Sequence, residues 1–408
     1  MKLVLKWEEV LNETKQIMNN SQMKLGIVFA SVTCALATTM WADNATSVRL
    51  AAAGPEAGVN ITSVGNNYGD PQFQDEPLER LFTDLKKRGI TRISLRVTWA
   101  TMERQEGSLD PKIMAAMKRI YGKAQTYGFK AMLDFHTLFM KDNYACPEWV
   151  AQHRQDDGSP CVRSIAMIAR SKSVRERYLA YIAGVVTEMK ECPAIDVVSV
   201  MNEPFSMEWK NPSRWAVDMD QLQRVIEEAA LIVRAKAPGR RVAVRFCGAV
   251  NPWGHNPERR FDAERMLKVL DVIGQNIYLD PNDDNAVQQD KLSKKPLPAL
   301  SWPIMAEAAE RCRKAGKAFW ITEFGAPWQK SDDPKEPSAS LESQKTTIEG
   351  YCKRFWGSSI RPEAVMIWVL QANPKNLDKY GVYDGATSSF RPAFDVYTRY
   401  MLRQMQTP

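Results

Sequence analysis

Residues 197–204 read Val-Val-Ser-Val-Met-Asn-Glu-Pro. The run from Val197 to Met201 is short, apolar and rich in β-branched residues, and it stops at a polar Asn-Glu-Pro, so it reads as a buried strand whose end carries a carboxylate. Upstream, Val174, Tyr178, Tyr181, Ile182, Val185 and Met189 recur at helical spacing. Downstream, Leu222, Val225, Ile226, Ala229 and Val233 do the same, and a second β-rich run, Val242 to Phe246, follows them. Strands alternating with amphipathic helices in this way make a parallel sheet.

The same alternation extends in both directions. Strands are expected at Val59 to Ser63, Arg92 to Val97, Lys130 to Asp134, Val197 to Met201, Val242 to Phe246, Val272 to Tyr278, Ala318 to Thr322 and Ala364 to Val369. Between them, Leu78, Leu81, Phe82 and Leu85 share one helix face. Asp110-Pro111 caps and opens another helix, with Ile113, Met117, Ile120 and Ala124 facing inward. Eight such units predict an α/β fold, a single closed (β/α)8 barrel of the TIM type. A doubly wound open sheet would want a glycine-rich phosphate turn after its first strand, and Val59-Asn-Ile-Thr-Ser-Val-Gly-Asn has no G-x-G-x-x-G. Long excursions follow strand three (Phe135 to Ser173), strand six (Leu279 to Pro303) and strand eight (Leu370 to Pro392), all on the side where a barrel builds its active site.

Polar residues sit at the C-terminal ends of these strands, where packing alone would favour apolar ones. Arg96 ends strand two, His136 follows strand three, Asn202 and Glu203 end strand four, Asn276 and Tyr278 end strand six, Glu323 ends strand seven, and Trp368 ends strand eight. Two glutamates facing each other across the mouth are what glycoside hydrolysis requires, one protonated to release the leaving oxygen and one ionised to attack the anomeric carbon. That chemistry needs no cofactor, and none is expected. Arg96 and the Tyr278 hydroxyl are expected to hold Glu323 ionised, while apolar and amide neighbours keep Glu203 protonated.

The sequence resembles glycoside hydrolase family 5, the cellulase family within clan A of retaining glycosidases, over about residues 57 to 404. The resemblance rests on Asn202-Glu203-Pro204, Trp320-Ile-Thr-Glu-Phe-Gly325, Ser94-Leu-Arg-Val-Thr-Trp99 and Leu133-Asp-Phe-His136. It implies that Glu203 is the general acid/base, that Asn202 contacts the sugar 2-hydroxyl, and that Glu323 is the nucleophile steadied by Arg96 and touched by Tyr278. His136 matches the family's strand-three histidine, and Trp368 the aromatic floor of the −1 sugar site. The chain departs from the family at strand six, where His-x-Tyr is usual and Asn276-Ile-Tyr278 stands; asparagine keeps the hydrogen bonds but cannot hold a proton near neutral pH. The activity implied is retaining cleavage of a β-linked polysaccharide or oligosaccharide, with endo-β-1,4-glucanase the first expectation by analogy. Mannanase, β-1,3-glucanase, galactanase or exopolysaccharide transglycosylase action stays open, as does a non-catalytic carbohydrate-binding barrel. A metal-dependent hydrolase would need a ligand cluster such as His-x-His, which the sequence does not offer.

The rest of the 408-residue chain bounds where this chemistry takes place. With 44% apolar and 25% charged residues it is an ordinary globular composition. The net charge of +7 is spread along the chain rather than gathered into a run that binds nucleic acid. Lys24 followed by the uncharged stretch Leu25 to Ala42 has the form of a secretory signal, with Met23 as the start, residues 1–22 an upstream extension and 43–56 a linker to a barrel over 57–408. An uncleaved membrane anchor is the alternative reading, and a secreted or periplasmic location the expected one. Removing residues 1–42 takes away four lysines and three glutamates and leaves +6.

Six cysteines then remain, with Cys146 and Cys161 the expected disulfide and six buried reduced thiols the alternative. Trp99, Trp149, Trp209, Trp253 and Trp328 are candidates for stacking on sugars or for packing. His153 and His255 receive no role. The acidic run Asp280 to Asp284 lacks the spacing of a calcium loop and reads as solvated.

Overall fold

The computed structural model describes residues 55–61, 73–137, 145–204, 218–247, 252–254, 260–289, 298–327, 340–357, 359–370, 380–384 and 389–406. Eight parallel strands close into a barrel: β1 (Glu56–Ile61), β2 (Arg92–Thr98), β3 (Lys130–His136), β4 (Ile195–Asn202), β5 (Arg241–Phe246), β6 (Val272–Ile277), β7 (Ala318–Phe324) and β8 (Ala364–Ile367). Each pairs with its sequence neighbours, and β1 pairs with β8 to complete the ring. Helices α1 (Asp75–Lys87), α2 (Pro111–Thr126), α3 (Lys172–Met189), α4 (Met219–Lys236), α5 (Ala263–Val269), α6 (Trp302–Lys314), α7 (Leu341–Gly357) and α8 (Pro392–Gln406) follow the strands in turn. The expected fold is therefore the observed one.

The helices form because each presents one apolar stripe to the barrel wall. In α2, Asp110 accepts from the Lys112 and Ile113 amides, and Pro111 occupies the first turn, where its missing N–H costs nothing. Met117, Ile120 and Ala124 are buried as the spacing predicts, joined by Met114 and Tyr121; Ile113 is half-buried against the core.

Inside the barrel, Met132, Val197, Ala243, Val272, Trp320, Ala364 and Met366 make a separate apolar layer, so the cylinder is filled rather than open. Below it the N-terminal ends of the strands are closed by charge. Buried Arg92 bonds Glu56 at 2.7 Å and Asp196 at 2.6 Å, Arg241 bonds Glu363 at 2.6 Å, and Lys130 joins Glu56. The Arg92 and Arg241 guanidiniums lie 4.3 and 5.1 Å from the centroid of the Trp320 ring. With the bottom sealed, the mouth at the strand C-termini is the end left for a site.

Two expectations are corrected. Glu56 is not linker: it opens β1, because its carboxylate is drawn into the ion-pair ring and its amide donates to Glu363 O at 2.8 Å. Cys146 and Cys161 are not bonded to each other; all six described cysteines are free thiols. Both pack in the main core, where a free cysteine behaves as a small apolar residue, and burial pushes the thiol pKa of each upward.

The three long loops carry short elements of their own: a 3-10 turn (Glu148–Gln152) and a helical turn (Met167–Arg170) after β3, a two-stranded ribbon (Val287–Gln289 with Pro298–Ser301) after β6, and another (Tyr383–Asp384 with Ser389–Phe390) after β8. The expected upstream extension, signal segment and most of the linker lie outside the described residues, as do Trp209, Trp328 and His255. Among the described residues no helix is long and apolar enough to cross a membrane.

Candidate active site

All eight residues singled out at the strand ends lie at this mouth, and hydrogen bonds, an ion pair and ring stacking link them. Irregular pairing helps to aim them. The β4 register shifts between Ser199 and Asn202 against β5, and the β6 register shifts between Gln275 and Asn276 against β7, the kind of break that re-aims a side chain at a barrel rim. Glu203 has φ +48°, a left-handed backbone conformation that a residue with a side chain adopts only when its surroundings impose it. Its amide donates to Arg245 O at 2.7 Å, which fixes the turn.

Glu203 is 8% exposed and Glu323 only 2%, yet their surroundings differ. Glu323 accepts from the Arg245 guanidinium at 2.5 Å through Oε1 and from the Tyr278 hydroxyl at 3.1 Å through Oε2. Arg96 is a more distant ion-pair partner at 3.9 Å, with its guanidinium 4.2 Å from the Trp368 ring centroid. Burial raises the Glu323 pKa, and Arg245 and then Arg96 pull against it. Glu203 has no such guanidinium contact; burial first, and the Glu323 charge second, push it up to about 7. Burial pushes both carboxyls upward, but the guanidiniums that pull against it lie on Glu323, so of the two Glu203 is the one set to hold the proton.

A chain of amides fixes the protons. Thr322 Oγ1 donates to Asn276 Oδ1 at 2.8 Å, which turns Asn276 Nδ2 toward Glu203 Oε1 at 2.7 Å and Asn202 Oδ1 at 3.3 Å. Asn202 then donates through Nδ2 to His136 Nδ1 at 3.0 Å, so His136 carries its hydrogen on Nε2. Burial, with Arg96 and Arg245 nearby, holds the His136 pKa well below its ordinary value, and the ring is neutral. Because Asn276 donates to Glu203 Oε1, the acidic proton of Glu203 belongs on Oε2. Tyr278 is 41% exposed at the mouth, but burial of its hydroxyl and the adjoining carboxylates raise its pKa, so it stays a donor to Glu323.

Gly325 closes the Thr-Glu-Phe-Gly segment for a steric reason. A Cβ there would lie 2.4 Å from Trp368 O, so only glycine lets β7 and the Trp368 backbone approach this closely. Trp368 N in turn donates to Phe324 O at 2.7 Å.

The sequence reading omitted Arg245 and Asp134. Arg245 Nη1 bonds Asp134 Oδ2 at 2.7 Å, and both are buried. The signal was present: Val-Ala-Val-Arg-Phe (242–246) carries a charge one residue before the end of an apolar run, close to where the other site strands place their polar residues. Three expected aromatic candidates belong to packing. Trp99, Trp149 and Trp253 are buried; Trp99 and Trp149 meet edge to face at 5.1 Å, and both donate to Glu103. His153 bonds Ser173 and Glu106. Asp280 and Asp283 accept from backbone amides two residues on, and Asp284 pairs with Arg354 at 2.5 Å. Among the described residues no group of His, Cys, Asp and Glu is arranged to hold a metal ion.

Residues 51–349 match the sequence model of one family, described as Cellulase (glycosyl hydrolase family 5). No curated protein sequence matches the chain. Among solved structures, a GH5_18 protein from Streptomyces cattleya in complex with Manβ1-4GlcNAc superposes with a TM-score of 0.62 at 14% identity, covering 87% of this chain and 82% of that one. An exo-β-1,4-mannosidase from Opitutaceae bacterium strain TAV5 gives 0.59 at 14% identity, covering 86% and 60%. An endo-β-1,4-glucanase from Xanthomonas axonopodis pv. citri gives 0.55 at 14% identity, covering 86% and 99%.

Proposed function

The chain belongs to glycosyl hydrolase family 5, the cellulase family, and is a glycoside hydrolase; from that premise we propose that it is a retaining β-glycosidase in which Glu323 is the nucleophile and Glu203 the acid/base. The observation that carries the reading is the opposed surroundings of the two glutamates, guanidiniums and a phenol on one, burial and a single amide on the other. Glu323 attacks the anomeric carbon while Glu203 Oε2 gives its proton to the departing glycosidic oxygen. The glycosyl-enzyme ester on Glu323 is then hydrolysed by a water that Glu203, now ionised, deprotonates. Asn276 keeps its donor on Glu203 Oε1 through both steps, and as an amide it does not compete for the proton.

Trp368, stacked on Arg96, forms the apolar floor for the sugar being cleaved, and Asn202 faces its 2-hydroxyl. The substrate class proposed is a β-1,4-linked hexosyl polysaccharide or oligosaccharide. All three fold neighbours carry that linkage in their names or bound sugar, and both glucose and mannose units belong in the first panel. Secretion, or export to a periplasm, is part of the same reading, because Lys24 and Leu25 to Ala42 have the form of an export signal.

The test is reducing-end release from β-1,4-glucan, β-1,4-mannan and their oligosaccharides, compared among the parent enzyme, Glu203→Gln and Glu323→Gln. Loss of release in both variants with polymer binding retained supports the reading. Release unchanged in either variant removes it, and binding without release by the parent enzyme would make the barrel a carbohydrate-binding module.

A further inference from the structure

Arg245 and Asp134 make an ion pair inside the barrel that the mechanism above does not use. Arg245 is the penultimate residue of β5 and is 1% exposed; Asp134 lies on β3 and is fully buried. Nη1 of Arg245 holds Asp134 Oδ2 at 2.7 Å, while Nη2 reaches Glu323 Oε1 at 2.5 Å and Thr322 O at 3.0 Å. The Arg245 carbonyl also accepts the Glu203 amide at 2.7 Å. One residue therefore touches both glutamates, through its side chain and its backbone.

We propose that Arg245, clamped by Asp134, is the positioning residue that orients the Glu323 carboxylate and keeps it ionised, a task for which Arg96 stands too far off at 3.9 Å to be the hydrogen-bonding partner. The inference rests on the reading of Glu323 as nucleophile. Its physical logic is charge balance. The groups around Glu323 are Arg96 from β2, Asp134 from β3, Glu203 from β4, Arg245 from β5 and Tyr278 beyond β6, and His136 on β3 lies near the two arginines. With His136 neutral, Glu203 protonated and Tyr278 un-ionised, two guanidiniums meet two carboxylates, Asp134 and Glu323.

When Glu323 becomes a neutral ester, the proton has left Glu203, so the negative charge has moved from one glutamate to the other and the buried sum is unchanged. Asp134 makes this possible. Without it two arginines in a buried mouth would carry an uncompensated charge, which is costly to bury. Holding Arg245 by two points also fixes the plane of its fork, so that the carboxylate it grips cannot rotate away from the anomeric carbon.

The test uses the full chain labelled with 13C at glutamate Cδ, Glu323→Gln to assign the resonance, and the variants Arg245→Met, Arg245→Lys and Asp134→Asn. Two quantities are read: the titration of the Glu323 carboxyl, and the pH profile of kcat/KM on a 2,4-dinitrophenyl β-glycoside. Arg245→Met should raise the Glu323 titration and the acidic limb by about one pH unit or more and lower kcat/KM about 100-fold. Arg245→Lys should restore most of the titration and part of the rate, because charge is kept and the fork is lost.

Asp134→Asn should move the titration the opposite way, downward, since a negative neighbour has gone. That opposed sign is what a merely structural role would not give. A Glu323 titration unmoved in folded Arg245→Met overturns the proposal. Should that variant not fold, a titration unmoved in both Arg245→Lys and Asp134→Asn overturns it equally. If the parent enzyme cleaves no glycoside while the Glu323 titration shifts in the expected directions, the glycosidase reading fails and the role of Arg245 toward Glu323 stands.

Discussion

Asn276 Nδ2 donates to Glu203 Oε1 at 2.7 Å, with its amide orientation set by Thr322 at 2.8 Å. At the position where the family usually has a titratable imidazole, the acid/base proposed for this enzyme is held by a group that never ionises. The basic limb of the kcat/KM profile should therefore report Glu203 alone and fall near pH 7, the value to which burial and Glu323 push it. The hydrogen bond works against that rise, so Asn276→Ala should move the basic limb to higher pH while lowering the maximum about 10-fold. A basic limb unmoved by this substitution would separate Asn276 from the acid/base.

The raised pKa also appears as a stability slope. A carboxyl that titrates at 4.5 when unfolded and near 7 when folded favours the native state below pH 4.5, and that advantage is lost as pH rises through 7. Stability should thus decline between about pH 4.5 and 7 and level off above. Glu203→Gln removes the slope and should be the more stable protein at pH 8, by on the order of 1–3 kcal/mol. Urea unfolding at pH 5 and pH 8 of both proteins measures it.

Tyr278 supplies the second donor on Glu323, at 3.1 Å. Tyr278→Phe keeps the ring against Tyr380, whose centroid lies 5.7 Å away, and deletes only the hydroxyl. A lost hydrogen bond to a charged acceptor predicts a kcat about 10- to 100-fold lower. Steady-state kinetics on a β-1,4-oligosaccharide with unchanged KM checks that the loss lies in the chemical step.

The opposite end of the barrel makes a control. Arg92 is wholly buried, bonded to Glu56 and Asp196, and stacked under Trp320. Arg92→Met leaves two carboxylates without their shared cation and should cost about 3–5 kcal/mol of stability. Because the pair lies below the Met132–Val197–Met366 layer, the pH profile of the surviving folded enzyme should stay in place.

Much of this was legible beforehand because apolar runs and polar strand ends are local features. Val197 to Met201 reads as a buried strand from its own residues, and Glu203 and Glu323 are picked out by where such strands stop. The reading failed where the deciding contact lies far along the chain. Nothing near Cys146 and Cys161 says that both pack as free thiols. Nothing near Trp99 says that Trp149, 50 positions on, will pack against its ring. Arg245 was missed because its partners, Asp134 and Glu323, are 111 and 78 positions away and only barrel closure brings them together. Arg96 does stand beside Glu323 as an ion-pair partner at 3.9 Å, but the direct hydrogen bond from Arg245 is a distance that a family pattern of residue types does not carry.

The most direct test of the division of labour between the two glutamates is to trap the ester. The full chain would be incubated with 2,4-dinitrophenyl 2-deoxy-2-fluoro-β-glucoside and the matching β-mannoside, then digested and sequenced by mass spectrometry. The account predicts one fluoroglycosyl group on Glu323, formed faster in the parent enzyme than in Arg245→Met. A stable adduct on Glu203, or turnover of natural substrate with inversion at the anomeric centre, would contradict it.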